Sequence, residues 1–192
     1  MRAWSQRDVA DLHAVITKGA QAAASALQAI TGIPGNSRVP LPVPLSREQP
    51  RPPAQDEPCR AFYVFMPGGV FLVLFPVGSP FVGTFLARLK MPVGEAARME
   101  NTILQEVSNI LVNGIANPMG DSCGMRFFLS APRQMAGSQG EIVAETYRRF
   151  TAYGDQSGFS SVVSLESGIH KVDVVVMLDS SFMSLLLPPA AN

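Results

Sequence analysis

From Ala61 to Ala87 the chain runs for 27 residues, between Arg60 and Arg88, without one charged side chain. So long an apolar run is buried either in a bilayer, which a helix of about 20 residues can span, or inside a folded domain. Pro67, Gly68, Gly69, Pro76, Gly78 and Pro80 interrupt it, so no unbroken helix of spanning length remains. The pieces read as a strand over Ala61–Met66, a turn at Pro67-Gly68-Gly69 and a strand over Val70–Phe75, both rich in the Phe, Tyr and Val that strands favour. Val82–Lys90 reads as helical. The run therefore predicts a buried hairpin, and no membrane partner is expected.

The other elements follow from periodicity. Asp8–Thr31 is a helix, with Leu12, Val15, Ile16, Gly19, Ala23, Ala26, Leu27 and Ile30 at helical spacing and Gly32 and Pro34 as its stop. A proline-rich loop covers 34–58, with eight of the chain's 16 prolines. Its stretch Ser46–Pro53 reads as extended. A second long helix is expected from about Val93 to Asn117. Pro92 and Gly94 mark its start, Glu95 suits its first turn, and Asn117-Pro118 ends it. Met125–Ser130 reads as a strand. Gly140–Tyr153 reads as a helix with Ile142, Val143, Tyr147 and Phe150 inward. Ser160–Leu165 and Lys171–Leu178 form a hairpin turned at Ser167-Gly168, and Ser180–Leu187 is a short helix or strand before Pro188-Pro189.

This order describes two copies of one unit, approximately 8–90 and 93–187, inside a single domain spanning 1–192. At an offset of 92 residues Leu12 meets Leu104, Val15 meets Val107, Ala24 meets Ala116, Gly32 meets Gly124 and Pro40 meets Pro132. Val70–Leu74 then Phe81 parallels Val172–Val176 then Phe182. The expected fold class is α/β in the broad sense (α+β): a duplicated, pseudo-two-fold arrangement of two long helices on a mostly antiparallel sheet built from two hairpin-containing repeats.

Composition excludes several functions. Fifteen basic and fifteen acidic residues cancel, so no bulk field draws the chain to nucleic acid or anionic lipid. Cys59 and Cys123 stand far apart and the only histidines are His13 and His170, which leaves no metal-ligand spacing. No serine-hydrolase triad is expected, and the glycine-rich nucleotide loops are missing. The first eight residues lead into no apolar signal segment, so the expected location is cytoplasmic.

The chemistry lies in the second long helix. Ile103, Val107, Ile110 and Gly114 share its inner face, with Leu104 and Leu111 beside them. Thr102, Glu106, Asn109 and Asn113, spaced 4, 3 and 4 apart, form one polar stripe on the outer face. The stripe offers a carboxylate and a carboxamide one turn apart, with no nearby Lys or Arg to occupy them.

Thr102-x3-Glu106-x2-Asn109-x22-Pro132 resembles the pattern [Asp/Ser]-x3-Glu-x2-Asn-x22-Pro of the CheC and CheX chemotaxis phosphatases and their flagellar-switch relatives. Glu106-Val107-Ser108-Asn109-Ile110-Leu111 is similar to the family's Glu-Ile-Gly-Asn-Ile segment. The duplicated layout agrees, and the resemblance covers about residues 8–187. The first motif position is Thr102, which keeps a hydroxyl. In the first repeat the motif positions hold Ala10, Ala14 and Thr17, and only Pro40 persists, so the resemblance implies one site per chain.

The implied activity is hydrolysis of the aspartyl phosphate on a CheY-like phosphorylated receiver domain, in chemotaxis or two-component signalling. In that reading Asn109 orients the attacking water and Glu106 pairs with the receiver's active-site lysine; these two are the catalytic candidates. Thr102 and Asn113 are second-line, partner-binding contacts. This chain needs no cofactor of its own, and Mg²⁺ belongs to the receiver. A CheD-type regulator is a further partner the reading admits, and the long hydrophobic hairpins leave room for a homodimer through sheet edges or an exposed apolar face. The alternative is a non-catalytic receiver-binding, flagellar-switch or scaffold module of the same fold.

Overall fold

The computed structural model describes residues 4–45, 56–90, 92, 94, 96–153 and 157–187. The expectations for Ser46–Pro53, for Val93 and Glu95, and for Pro188-Pro189 lie outside them. Helix α1 (Gln6–Thr31) is followed by short strands β1 (Asn36–Arg38) and β2 (Val43–Pro44), the hairpin β3 (Pro58–Met66) and β4 (Gly69–Pro76), and helix α2 (Phe81–Arg88). Then come α3 (Ala96–Cys123), β5 (Arg133–Ser138), α4 (Gln139–Tyr153), the hairpin β6 (Phe159–Ser167) and β7 (His170–Leu178), and α5 (Ser180–Leu186).

The strands form one antiparallel sheet in the order β1-β6-β7-β4-β3-β5, with β2 also on β6. Exchanging the two repeats reads this order backwards. Each repeat sends the strand after its long helix to the other repeat's hairpin: β1 pairs with β6, and β5 with β3. The pseudo-two-fold fold is thus closed by strand exchange.

The helices keep the offset of 92, since α1 ends at Thr31 and α3 at Cys123, each followed by a glycine in the left-handed region (Gly32 φ 77°, Gly124 φ 64°). The hairpins do not. Met66 pairs with Gly69 and Ser167 with His170, an offset of 101. Val70 therefore corresponds to Lys171, one residue short of the expected Val172, while Phe81 and Phe182 do correspond. The second repeat is longer mainly before and within its exchanged strand: nine residues separate α3 from β5 against four between α1 and β1, and β5 has six residues against three.

Alternation along β3 sorts the side chains. Phe62, Val64 and Met66 join α1, α2, α3 and α5 in the larger core, whereas Cys59 and Ala61 face α4. The helices α1 and α3 pack closely through small residues. A Cβ on Gly19 would lie 2.7 Å from the Ile115 carbonyl oxygen, and one on Gly114 would lie 2.9 Å from Ala23 Cα. Burying the charge-free run on both sheet faces accounts for its composition. No helix among the described residues is long and apolar enough to cross a membrane.

Three expectations are corrected. The second helix does not stop at Asn117-Pro118 but runs to Cys123 with Pro118 inside it. Proline in a helix costs about 3 kcal/mol, but Ile115, Ala116 and Met119 are all buried on this stretch, and burying large apolar side chains at about 1.5–3 kcal/mol each offsets it. The strand is not Met125–Ser130 but Arg133–Ser138, because the free edge of β3 pairs from Tyr63 to Pro58. The proline-rich loop is not plain loop: β1 and β2 pair with β6 at the sheet edge, where missing donors are tolerated.

Candidate functional site

The outward face of α3 overhangs the start of β5, and polar contacts hold it there. Arg60 on β3 pairs with Glu100 at 2.8 Å and donates to Asn101 Oδ1 at 2.6 Å. Gln134 on β5 donates to the same oxygen at 3.1 Å. The opposite wall is the segment before β5. Ser130 N–H donates to the Phe65 carbonyl at 2.8 Å, and Phe65 N–H donates to Ser130 Oγ at 2.9 Å. Phe85 of α2 contributes from the side, and α2 is itself tied down where Arg88 donates to the Ala29 and Ile30 carbonyls at the end of α1.

Between these walls lies a groove of about 540 Å³. Thr102, Glu106 and Asn109 line it from α3 and Pro132 from the facing segment, with Phe85, Met99, Ile103 and Leu129 as apolar walls. The four motif positions therefore meet in one place. Thr102 and Glu106 are exposed and Asn109 is half-buried. Among the described residues neither Thr102 nor Glu106 has a hydrogen-bond or ion-pair partner.

Asn113 does not line the groove. Its Nδ2 donates to the Asn109 backbone carbonyl at 2.7 Å and to Asn109 Oδ1 at 3.1 Å. Only an amide nitrogen can donate to that carbonyl, so the orientation of Asn113 is set, and the Asn109 atom facing it must be an acceptor. Asn109 is thereby fixed with Oδ1 toward Asn113. Its Nδ2 and the second lone pair of Oδ1 stay available. The helical spacing that put Asn113 in the stripe also put it one turn from Asn109, but it did not distinguish a side chain facing outward from one folded onto its neighbour.

On α1 the corresponding surface carries exposed Ala10 and Ala14, and half-buried Thr17. His13 lies against the Val39 carbonyl at 3.0 Å, and the positions matching Thr102, Glu106 and Asn109 hold neither a carboxylate nor a carboxamide.

Other chemistry is not assembled. Gly120-Asp121-Ser122-Cys123-Gly124 has the spacing of a nucleophile elbow. It occupies the last turn of α3 and the glycine after it, and Ser122 Oγ donates to the Pro118 carbonyl at 2.8 Å. An elbow needs a strand-to-helix turn, so none forms here. Burial pushes the Cys59 thiol up to about 11 and raises that of Cys123, leaving neither activated. Among the described residues no cluster of three His, Cys, Asp or Glu is placed to hold a metal.

No family model matches the sequence, and no curated protein matches it. Solved structures do match the fold. FliY from Thermotoga maritima aligns over 96% of this chain and 96% of its own, with a TM-score of 0.66 and 11% identity. The FliM middle domain from H. pylori aligns over 95% of this chain and 99% of its own, with a TM-score of 0.58 and 13% identity. CheX from Borrelia burgdorferi, in a complex with CheY, beryllofluoride and Mg²⁺, aligns over 85% of this chain and 96% of the matched chain, with a TM-score of 0.54 and 13% identity. The chain has the CheC-like fold shared by CheX proteins and by FliM and FliY.

Proposed function

We propose that the chain is a phosphatase acting on the aspartyl phosphate of a CheY-like receiver domain, with one site centred on Glu106 and Asn109. The observation that carries the reading is that Thr102, Glu106, Asn109 and Pro132 share one open groove, with Asn109 oriented in advance by Asn113. An acyl phosphate is an activated mixed anhydride, so the phosphatase has mainly to position water in line with phosphorus. The water donates one hydrogen to Asn109 Oδ1, which turns its lone pair toward phosphorus. Asn109 Nδ2 donates to a phosphoryl oxygen. The water oxygen bonds to phosphorus, the bond to the aspartyl oxygen breaks with its electron pair leaving on the carboxylate, and the water's proton ends on the phosphate product. Glu106, exposed and without a cation of its own, meets the lysine of the receiver. The receiver carries the Mg²⁺, as the beryllofluoride complex of the neighbouring CheX also pairs that fold with CheY and Mg²⁺.

The test is the decay of a phosphorylated CheY-type receiver from the same genome, with this chain and with Asn109→Ala. The native chain should accelerate decay, and losing one preorganised carboxamide should cost about 10²-fold or more. Equal rates for the two would refute the reading. A second reading, a non-catalytic switch module, is favoured by the absence of a carboxylate and a carboxamide at Ala10, Ala14 and Thr17 of α1 and by the higher TM-score to the FliM middle domain than to CheX. It is distinguished by receiver binding without faster decay.

A further inference from the structure

Phe128 is 88% exposed, and its neighbours on both sides are held in place. Met125 N–H donates to the Gly120 carbonyl at 2.9 Å, and a Cβ on Gly120 would fall 2.5 Å from the Met125 carbonyl oxygen, so glycine permits the chain to fold back there. Phe127 packs on Phe182 with ring centroids 5.0 Å apart. Ser130 is fixed to Phe65 in both directions. An immobilised backbone thus presents one large aromatic ring to water, directly before the segment Leu129–Pro132 that walls the groove.

Resting on the reading of the groove as a receiver site, we propose that Phe128 is the apolar anchor of the receiver-docking surface, seated on an apolar patch beside the receiver's phosphorylated pocket. Size supports this occupant. A specific protein partner covers about 800 Å² on each side, a disc of about 16 Å radius, whereas Phe128 Cα is about 3.8 Å from that of Leu129 in the groove wall. A receiver seated over the groove with that footprint extends across the chain at Phe128. Rigid, exposed aromatics beside a polar site are the residues on which binding energy concentrates. Turnover at Asn109 and affinity at Phe128 are then separable.

The experiment measures kcat and KM for receiver dephosphorylation, and Kd for the same receiver loaded with beryllofluoride and Mg²⁺, on the native chain, Phe128→Ala, Asn109→Ala and Leu41→Ala. Leu41 is 64% exposed next to β1, at the sheet edge opposite β5, and serves as the control. Phe128→Ala should raise KM and Kd at least about tenfold with kcat unchanged within twofold, while Leu41→Ala changes neither. Unaltered KM and Kd in Phe128→Ala, beside a native chain that binds, would overturn the proposal while leaving the groove reading intact. If Asn109→Ala retains turnover but Phe128→Ala loses binding, the docking surface stands and the assignment of the water-positioning residue falls. A native dimer that Phe128→Ala converts to monomer would assign the ring to self-association and overturn the proposal. So would a native chain that binds no receiver.

Discussion

Asn113→Ala separates positioning from docking. In the native chain the Asn113 amide holds the Asn109 carboxamide through a 3.1 Å hydrogen bond and is itself anchored on the Asn109 carbonyl at 2.7 Å. Removing it frees rotation of the Asn109 amide. A neutral hydrogen bond contributes about 0.5–1.5 kcal/mol, which corresponds to about a 2- to 13-fold drop in the fraction of Asn109 held in the working orientation. Asn is a poorer helix former than Ala by about 0.6 kcal/mol, which offsets much of the lost hydrogen bond, so the variant should lose activity while its stability falls by no more than about 1 kcal/mol. The assay is steady-state turnover of a phosphorylated receiver beside a denaturant melt. The expected result is a severalfold fall in kcat at constant KM. Asn113→Asp should fall further, because it offers no donor and draws Asn109 Nδ2 away from the groove. A raised KM at constant kcat would refute the positioning argument and return Asn113 to the docking role that the stripe alone implies.

Two further outcomes follow from packing and titration. Gly19→Ala should lower the urea midpoint, because its Cβ would stand 2.7 Å from a backbone oxygen of α3 and overpacking of about 1–3 kcal/mol exceeds the helix gain of about 1 kcal/mol. Gly83→Ala, with nothing within 4 Å of its Cβ, should raise the midpoint, and shifts of the same sign would refute the assigned crossing of α1 and α3. His170 is buried against Phe81, with Nε2 3.2 Å from Thr84 Oγ1 and Nδ1 unpartnered, and burial lowers its pKa. Below the unfolded value of about 6.5 the unfolded chain then binds more protons. Its contribution is therefore constant above that pH, and stability falls as the pH drops from there through the folded pKa. His170→Phe should flatten the stability profile below about pH 6.5, and parallel profiles for the two proteins would count against it.

The hairpins were legible because their signal is local. A charge-free run cut by Pro and Gly has few ways to be buried, and the turn residues mark where it reverses. What was not legible depended on distant partners. Arg133–Ser138 has no strand alternation, being half polar and nowhere fully buried, and is a strand because β3 has an edge to offer. The apolar Met125–Ser130 has the composition of a strand but pairs with β3 only at Ser130. Pro118 breaks a local rule in a helix whose burial outweighs it. The same division holds at the site. Helical spacing aligned Thr102, Glu106 and Asn109, and the distance to Pro132 completed the set. Which of two asparagines holds the other is a matter of side-chain rotation that spacing does not carry.

The first repeat has no acidic or amide side chain at Ala10, Ala14 or Thr17, yet it holds the walls of the groove in the second. Phe85 comes from α2, Arg60 on β3 steadies α3 through Glu100 and Asn101, and Phe65 on β3 fixes the wall at Ser130. Strand exchange is the reason. Because β5 pairs with β3, the segment that faces Asn109 is laid on the first repeat's hairpin, not on its own. The reciprocal groove on α1 would draw its wall from β1 on β6, and there His13 and the Val39 carbonyl meet instead. Losing the motif from α1 therefore removes one set of reacting groups without loosening the scaffold of the other. A change on the first hairpin, such as Arg60→Ala, acts on the second helix's site at a distance in sequence of more than forty residues.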